Sequence, residues 1–360
     1  MVREQLNSLL RDPARQAIGL DFSGRQLRFV RIRRRRRPEV VRFGYVPLPD
    51  GTIQHGEVTN PTALQQQLLV LQDTKVSGKP RPRGAVAAIS EHHTFLKYLE
   101  VPMGPAGDVD EAIRWEATQH IPYDLKDLNL DWVVLPTPTG RTAGALVVAA
   151  PRDLVESYAS AIERVGLEPL ALEPASLVVV RAFAAQLPTD DPALLLLLGE
   201  LESTVVLVQR RIPLFTSTVH LTTTELEQRI TKQFTLPADD AQRALYALGL
   251  YKFRARGIVR DLLRESFDSL VNRLQEILDF YRNHFPAPGT VATLLICGPG
   301  ARIAGLTEEL TGRLKLTVSL ARLPTALHPV KRASGFAANL LEYSVALGSA
   351  LRRLHVSPHA

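Results

Sequence analysis

Hydrophobic residues in the first half of the chain form short strand-like runs that alternate with longer segments of helical spacing. In the helical segments, apolar residues recur every three or four positions. Turns are predicted where Gly, Pro and Ser cluster, as at Ser23 and Gly24. The predicted elements are strands at 17–21, 27–32 and 40–43, a helix at 61–73, strands at 85–89 and 94–101, a helix at 109–121, strands at 128–135 and 144–150, a helix at 151–166, a strand at 167–172 and a helix at 173–186.

A similar order restarts at residue 193. The predicted elements there are strands at 193–198, 204–208 and 214–221, helices at 224–233, 239–249 and 261–285, a strand at 293–297, a helix at 306–314, a strand at 317–320 and a closing helix at 335–354. Two halves with one order favour a duplicated α/β fold that carries a short insert in its first half. A short amphipathic helix is predicted over residues 1–16, which precede the first half.

The predicted helix at 109–121 has clear start and stop signals. Asp108 and Glu111 form the acidic variant of a capping box, and Pro122 ends the helix. Glu116 lies within the apolar face, where an unpaired carboxylate would be costly. Two interpretations remain: a structural, salt-bridged Glu116, or a contact to another subdomain or protein.

Composition is that of a globular protein, with 45% hydrophobic and 22% charged residues. No run reaches the roughly 18 consecutive apolar residues that would cross a bilayer, and the first 15 residues lack a secretory pattern. The single cysteine, Cys297, excludes an internal disulfide and fits a reducing cytoplasm. It lies in a predicted strand, which favours a buried position.

The net charge of +6 comes partly from arginines at 31 and 33–37, between two predicted strands. This placement predicts a hairpin tip that is either solvated or faces a lipid surface. Nucleic acid is the least favoured partner, because no aromatic residues for base stacking lie among the arginines.

Motifs for common catalytic and metal sites are absent from the sequence. It contains no GxxxxGK[ST], HExxH or GxSxG motif and no pair of cysteines. His92 and His93 have no third ligand at a suitable spacing, so we expect no metal site there.

The segment EAIRWEATQHIPYDLKDLNLDWVVL at 111–135 resembles the signature of PilM-type proteins of bacterial type IV pilus assembly. The similarity extends from Ile18 to Leu351. It implies duplicated actin-like (ribonuclease H-like) domains with an inserted SHS2-type α+β subdomain. The implied limits are 1–16 for an N-terminal extension, 17–190 for the first domain with its insert at about 84–152, and 191–360 for the second domain with a helical subdomain at about 221–290.

In this family's fold, hairpin turns and a glycine-rich turn hold ATP and Mg²⁺ through backbone N–H groups and a carboxylate. The resemblance places these cofactor-binding positions at Asp21, Ser23, Gly24, Ser203, Thr204, Gly298, Gly300 and Ala301.

Several positions depart from the family pattern. Ser23, Leu198, Glu200, Gln242, Leu245 and Pro299 replace, in order, a glycine, an aspartate, a glycine, a glutamate, a lysine and a glycine. Leu198 cannot serve a metal, and a carboxylate at position 200 would repel a triphosphate. We therefore predict that the chain does not hydrolyse ATP and binds it weakly or not at all.

The resemblance implies a cytoplasmic scaffold, peripheral on the inner membrane, that acts with other pilus assembly proteins. Its implied main partner is the N-terminal tail of a PilN-like membrane protein, held between the first actin-like subdomain and the insert. Arg114, Glu116, Ile121 and Pro122 are expected to line this groove, or else only to stabilise the insert. The alternatives are an active actin-like ATPase whose nucleotide state controls partner binding, and an FtsA-like or type II secretion actin-like protein.

Overall fold

The computed structural model describes residues 17–33, 37–73, 83–102, 109–121, 123–135, 142–285 and 289–352. Several predictions lie outside these residues: the helix at 1–16, the cap at Asp108, the helix stop at Pro122 and the arginines at 34–36. Within the described ranges, no helix combines the length and the apolar character needed to cross a membrane.

Strands and helices alternate along the chain much as the hydrophobic pattern predicts. The strands are β1 (Ala17–Asp21), β2 (Gln26–Arg33), β3 (Glu39–Pro47), β4 (Ile53–Gln54), β5 (Glu57–Val58), β6 (Gly84–Ile89), β7 (Phe95–Pro102), β8 (Leu128–Leu135), β9 (Thr142–Pro151), β10 (Glu168–Pro174), β11 (Ala193–Leu198), β12 (Ser203–Gln209), β13 (Ile212–Val219), β14 (Thr293–Cys297), β15 (Thr317–Leu320) and β16 (His328–Pro329). The helices are α1 (Pro61–Asp73), α2 (Val109–His120), α3 (Arg152–Glu163), α4 (Ala175–Phe183), α5 (Thr223–Phe234), α6 (Ala238–Ala247), α7 (Ile258–His284), α8 (Leu306–Leu314) and α9 (Ser344–Leu351).

Each half of the chain is organised around a sheet with the same central pattern. The sheet of the first half has the order β10-β6-β1-β2-β3-β16, with β1 antiparallel to β2 and parallel to β6; its edge strand β16 comes from the second half of the chain. In the second half the order begins β15-β14-β11-β12-β13, with β11 antiparallel to β12 and parallel to β14. This repeated arrangement confirms the predicted duplicated α/β fold.

The second sheet does not stop at β13. It continues through β7 and β9 to β8, which forms its edge. We call the part formed by β7, α2, β8 and β9 the inserted lobe. A single backbone pair, Phe215 with Lys97, joins the lobe to β13. The lobe also has its own core, which includes Ile113, Ala117 and Ile121 of the α2 segment.

A third hydrophobic core lies between the two halves. Helices α4 and α9 supply much of it, together with side chains of the two sheets. Gly19 of β1 lies directly against the backbone of α9, where an added Cβ would overlap the carbonyl oxygen of Ala346. Gly348 of α9 lies in the same way against the carbonyl oxygen of Val178. Absence of side chains at these two positions lets the elements approach closely.

The closing segment differs from its prediction of one helix at 335–354. A 3₁₀ segment runs over Lys331–Tyr343, and only Ser344–Leu351 is α-helical. Phe336 and Tyr343 both pack edge-on against Phe43, at ring-centre distances of 5.1 Å. Packing against β3 thus overrides the helical preference of this segment, which the spacing of apolar residues could not show.

Candidate functional site

Three turns meet between the two halves of the chain. The first turn (22–25) joins β1 to β2, the second (199–202) joins β11 to β12, and the third (298–302) follows β14. We call the space between them the cleft. These turns carry most of the cofactor-binding residues expected from the sequence.

Asp21 and Ser23 form a compact pair in the first turn. The buried Asp21 carboxylate accepts hydrogen bonds from the backbone N–H and the hydroxyl of Ser23, at 2.8 and 2.5 Å. Asp and Ser commonly close turns in this way. Burial raises the pKa of Asp21 above its usual value, although Arg28 and the Ser23 contacts partly offset this effect.

The Glu200 carboxylate crosses the cleft from the second turn to the first. Its Oε2 accepts a hydrogen bond of 2.9 Å from the backbone N–H of Arg25, and its Oε1 forms an ion pair with Arg28. The Arg28 and Glu200 side chains are only 4% and 11% exposed. A Cβ added at Gly24 would lie 2.6 Å from Glu200 Oε2. The carboxylate therefore fills the space between the two turns.

Arg28 is held in a strongly acidic environment. Burial alone would lower its pKa, but the attraction of Glu200 and then of Asp21 outweighs burial, so the pKa lies above its usual value. The sequence indicated Glu200 as unfavourable for a triphosphate. It gave no signal that Arg25 and Arg28, more than 170 residues away, would bind this carboxylate.

The innermost part of the cleft has almost no free volume. The cavity bounded by Asp21, Gly24, Glu200, Gly298 and Pro299 measures about 10 Å³. This volume is no more than one water molecule needs. A second, open cavity of about 480 Å³ adjoins it and is lined by Gln26, Arg28, Glu200, Gln242, Arg243, Tyr246, Ala247, Pro299, Arg302 and Glu342.

The two glycines of the third turn pack against Leu198, at the end of β11. Gly298 has φ of 88°, and a Cβ there would lie 2.5 Å from the carbonyl oxygen of Leu198. A Cβ at Gly300 would overlap the Leu198 side chain, and Ala301 is buried. Leu198, which stands where the family pattern has aspartate, thus packs beneath the turn.

Ser203 and Thr204 are buried at the start of β12. The Ser203 hydroxyl donates to the carbonyl oxygen of Leu221 at 2.5 Å and accepts from the backbone N–H of Gly199 at 3.1 Å. Neither residue lines the two cavities of the cleft. The Ser203 hydroxyl therefore stabilises the second turn, whereas the buried Thr204 hydroxyl has no hydrogen-bond partner among the described residues.

The outer side of the cleft carries a further contact between the halves. Glu227 of α5 forms an ion pair of 2.7 Å with Arg25 and accepts a hydrogen bond of 3.1 Å from Gln242 of α6. Leu245 is fully buried in the core of the second half. Helix α5 is fixed locally by a capping box, in which Thr222 and Glu225 bond each other's backbone N–H groups.

Two carboxyl groups lie close to each other at the second turn: Glu91, which is buried, and Glu202, the last residue of the turn. Glu91 accepts a hydrogen bond of 2.6 Å from the backbone N–H of Ser176, and Glu202 accepts one of 2.6 Å from the Ser90 hydroxyl. Burial raises the pKa of Glu91 to about 7 and also raises the pKa of Glu202. No local pattern in the sequence predicts this pair.

Partner-binding residues expected in the inserted lobe have different environments. The Arg114 guanidinium lies 4.7 Å from the ring centre of Trp132, and Glu116 pairs with His120 at 3.2 Å. Ile121 is buried in the lobe core, and Pro122 lies outside the described residues. His120 thus supplies a partner for Glu116. The structure brings Arg114 and Glu116 onto one helix, and Ile121 beneath it.

The lobe also exposes aromatic side chains that sequence analysis did not single out. Trp115 of α2 is 64% exposed, and Tyr123 is similarly open to solvent. Trp115 lies within the helix but off its predicted apolar face, and Tyr123 follows the helix; a large aromatic residue outside the apolar spacing is the signal that could have identified Trp115.

The sequence matches the profile of a family described as type IV pilus assembly protein PilM over residues 19–354. Among solved structures, a PilM-PilN type IV pilus biogenesis complex aligns with a TM-score of 0.80 and 24% identity, covering 94% of this chain and 99% of that chain. The ethanolamine utilization protein EutJ from Carboxydothermus hydrogenoformans aligns with a TM-score of 0.54 and 14% identity, covering 97% and 96%. MreB5 of Spiroplasma citri bound to AMPPNP aligns with a TM-score of 0.54 and 10% identity, covering 95% of this chain and 97% of that chain. These likenesses confirm the actin-like fold.

Proposed function

The chain belongs to the PilM family of type IV pilus assembly proteins, and from this premise we propose that it is a non-catalytic scaffold that binds the N-terminal tail of a PilN-like membrane protein. We place it in the cytoplasm, peripheral on the inner membrane, where other pilus assembly proteins are further partners. The division at residues 190 and 191, with an insert at about 84–152 and a helical subdomain at about 221–290, is part of this proposal.

The observation that carries the non-catalytic role is the position of Glu200. Its carboxylate accepts the backbone N–H of Arg25 and pairs with Arg28, in the space that the phosphates of a nucleotide would need. The remaining inner volume of about 10 Å³ leaves no room for phosphate groups or for Mg²⁺ with its ligands. Leu198 offers no metal ligand. These observations support the proposal that the residues present do not accommodate ATP and Mg²⁺.

Tail binding is supported by the family and by the surface of the inserted lobe. The solved relative with a TM-score of 0.80 is a complex with PilN. In this chain, the exposed Trp115 and the Arg114 guanidinium offer apolar and charged contacts to an extended peptide. Glu116, on the same helix, belongs to the proposed groove, while the buried Ile121 packs in the lobe core.

Binding of a synthetic tail peptide from the same organism tests this role directly. Fluorescence anisotropy should show saturable binding to the full chain. Arg114→Glu should weaken it about tenfold or more, because a charge reversal in a groove removes a favourable contact and adds repulsion. Arg243→Glu, which reverses an exposed arginine of α6, is the matched control and should leave the affinity unchanged. No measurable binding by the unaltered chain would refute tail binding.

Nucleotide binding is tested by calorimetric titration of MgATP into the full chain. We expect no heat of binding and no change in melting temperature. In Glu200→Gly, which restores the family glycine, the inner cleft gains space and loses a negative charge, so any residual nucleotide affinity should increase. Micromolar, Mg²⁺-dependent binding by the unaltered chain would overturn the non-catalytic role and favour the active ATPase.

A further inference from the structure

The loop between α6 and α7 presents an unusual combination of apolar and basic side chains. We call residues 251–258, with the sequence YKFRARGI, the tip loop; it carries three cations and no acidic residue. Phe253 at its centre is 96% exposed, the largest fraction among the large apolar side chains that are described. Ile258, at the start of α7, is also exposed.

The tip loop has a defined conformation. The Arg254 guanidinium lies 4.5 Å from the ring centre of Tyr251 within the loop and donates a hydrogen bond to the carbonyl oxygen of Ala247, the last residue of α6. Ala255, Arg256 and Gly257 follow with φ of 46°, 55° and 75°. Three left-handed residues in a row reverse the chain, and residues with a Cβ rarely adopt this conformation. Phe253, which precedes this turn by two residues, is therefore an exposed apolar side chain on a loop with a defined backbone conformation.

Carboxylates near the tip loop are already engaged. Asp261 and Glu309 lie 3.6 and 3.9 Å from the guanidinium of Arg260. Glu308 accepts a hydrogen bond of 3.2 Å from the Tyr251 hydroxyl. These groups neutralise Arg260 and fix Tyr251, and they leave the basic residues of the loop uncompensated.

Lys252 and Arg256 are the uncompensated cations. Both are exposed, and neither forms an ion pair within the described part of the chain. They flank Phe253 in sequence and carry positive charge on the same loop. The exposed Phe253 ring, together with Lys252 and Arg256, complements a surface whose outer layer is negatively charged and whose interior is apolar.

We propose that the tip loop docks onto an anionic lipid bilayer. Phe253 enters the boundary between headgroups and acyl chains, and Lys252 and Arg256 contact lipid phosphates. A single-stranded nucleic acid fits less well, because its bases would need several aromatic rings for stacking, and Ile258 adds apolar surface that a nucleic acid would not cover. This contact goes beyond the proposed function, since it needs no membrane protein.

Vesicle flotation with the purified full chain tests the proposal. Vesicles that contain phosphatidylglycerol should bind the chain, and vesicles of phosphatidylcholine alone should not. Phe253→Ser and Arg256→Glu should each weaken binding about tenfold, since each removes one anchoring contact. The matched controls are Tyr123→Ser, an exposed aromatic residue of the inserted lobe, and Lys232→Glu, an exposed cation of α5. Both controls should bind as the unaltered chain does.

Three results would overturn the lipid contact. The first is absence of binding to anionic vesicles by the unaltered chain, and the second is unchanged binding by both tip-loop variants. The third is loss of binding to an RNA oligonucleotide, but not to vesicles, in these variants. Melting temperatures establish that the variants are folded. Phe253→Ser should bind the tail peptide normally, so failure of the lipid contact and failure of the proposed function are distinguishable.

Discussion

At the scale of single residues, buried carboxyl groups determine the state of the cleft. Glu200 is paired with a cation and a backbone N–H. Glu91 has no cation beside it, and its Oε2 atom has no hydrogen-bond partner among the described residues. The same side chain type thus has a charged partner in one place, and in the other it is buried without one among the described residues, where burial raises its pKa.

Glu91 should make stability depend on pH. Its pKa is about 7 in the folded state, against 4.5 for a free glutamate. Between these values the unfolded chain releases the proton while the folded chain keeps it, so stability should decrease as pH rises from about 4.5 to about 7. Glu91→Gln, which is neutral throughout, should be more stable than the unaltered chain at pH 8 by about 1–3 kcal/mol.

Urea unfolding at pH 5 and pH 8 measures this difference. Glu163→Gln, at an exposed position near the end of α3, is the matched control and should leave the pH dependence as it is. Equal pH slopes for Glu91→Gln and the unaltered chain would contradict the assignment of the titration to this carboxyl group.

Sequence analysis identified Asp21 and Glu200 of the cleft but not the arginines that bind Glu200. The turn at Ser23 and Gly24 was predicted correctly because Ser and Gly have local preferences that act within a few positions. Glu200 contacts residues of the other half of the chain, and such pairs depend on how two domains dock. A single sequence contains no local signal for that contact.

At the scale of elements, the contact of α9 with β1 and α4 depends on glycines. Gly19 and Gly348 allow backbone atoms to meet without an intervening side chain.

The predicted bounds of β1, β8, β11, β14, α1 and α8 match the structure, because continuous or periodic apolar runs there end at turn residues. The 3₁₀ segment before α9 was missed, since its conformation is set by packing on Phe43.

Substitutions at two helical glycines should act in opposite directions. Gly348→Ala should destabilise the fold by about 1–3 kcal/mol, because the added Cβ overlaps the backbone of Val178. Gly312→Ala in α8 should stabilise it by about 0.5–1 kcal/mol, because nothing lies within 4 Å of an added Cβ and alanine favours helix. Chemical denaturation of both variants gives the comparison, and equal effects would contradict this account.

At the scale of the whole molecule, the two halves are held together on both sides of the cleft. Glu200 and Glu227 join the halves through Arg28 and Arg25, and a shared hydrophobic core lies below. The single cysteine, Cys297, lies fully buried in that core. Burial raises the pKa of its thiol well above the usual value. A buried, protonated thiol reacts only when the structure opens.

Thiol labelling should therefore report opening between the halves. In the folded unaltered chain we expect Cys297 to react slowly with a disulfide reagent. Glu200→Gln should accelerate labelling about tenfold, because it leaves the buried Arg28 without its charged partner. Glu265→Gln, at an exposed ion pair of 3.7 Å, is the control and should not change the rate. Unchanged labelling in Glu200→Gln would show that this ion pair does not hold the halves together.

The backbone pair between Phe215 and Lys97 has a mechanical consequence for a scaffold. Through it, β13 and β7 belong to one sheet, and the lobe proposed to grip a membrane protein is hydrogen-bonded to the opposite half. A force applied to the lobe would pass through this backbone pair into the second half without passing through the cleft. The mechanical connection between the lobe and the second half therefore does not depend on a nucleotide bound in the cleft.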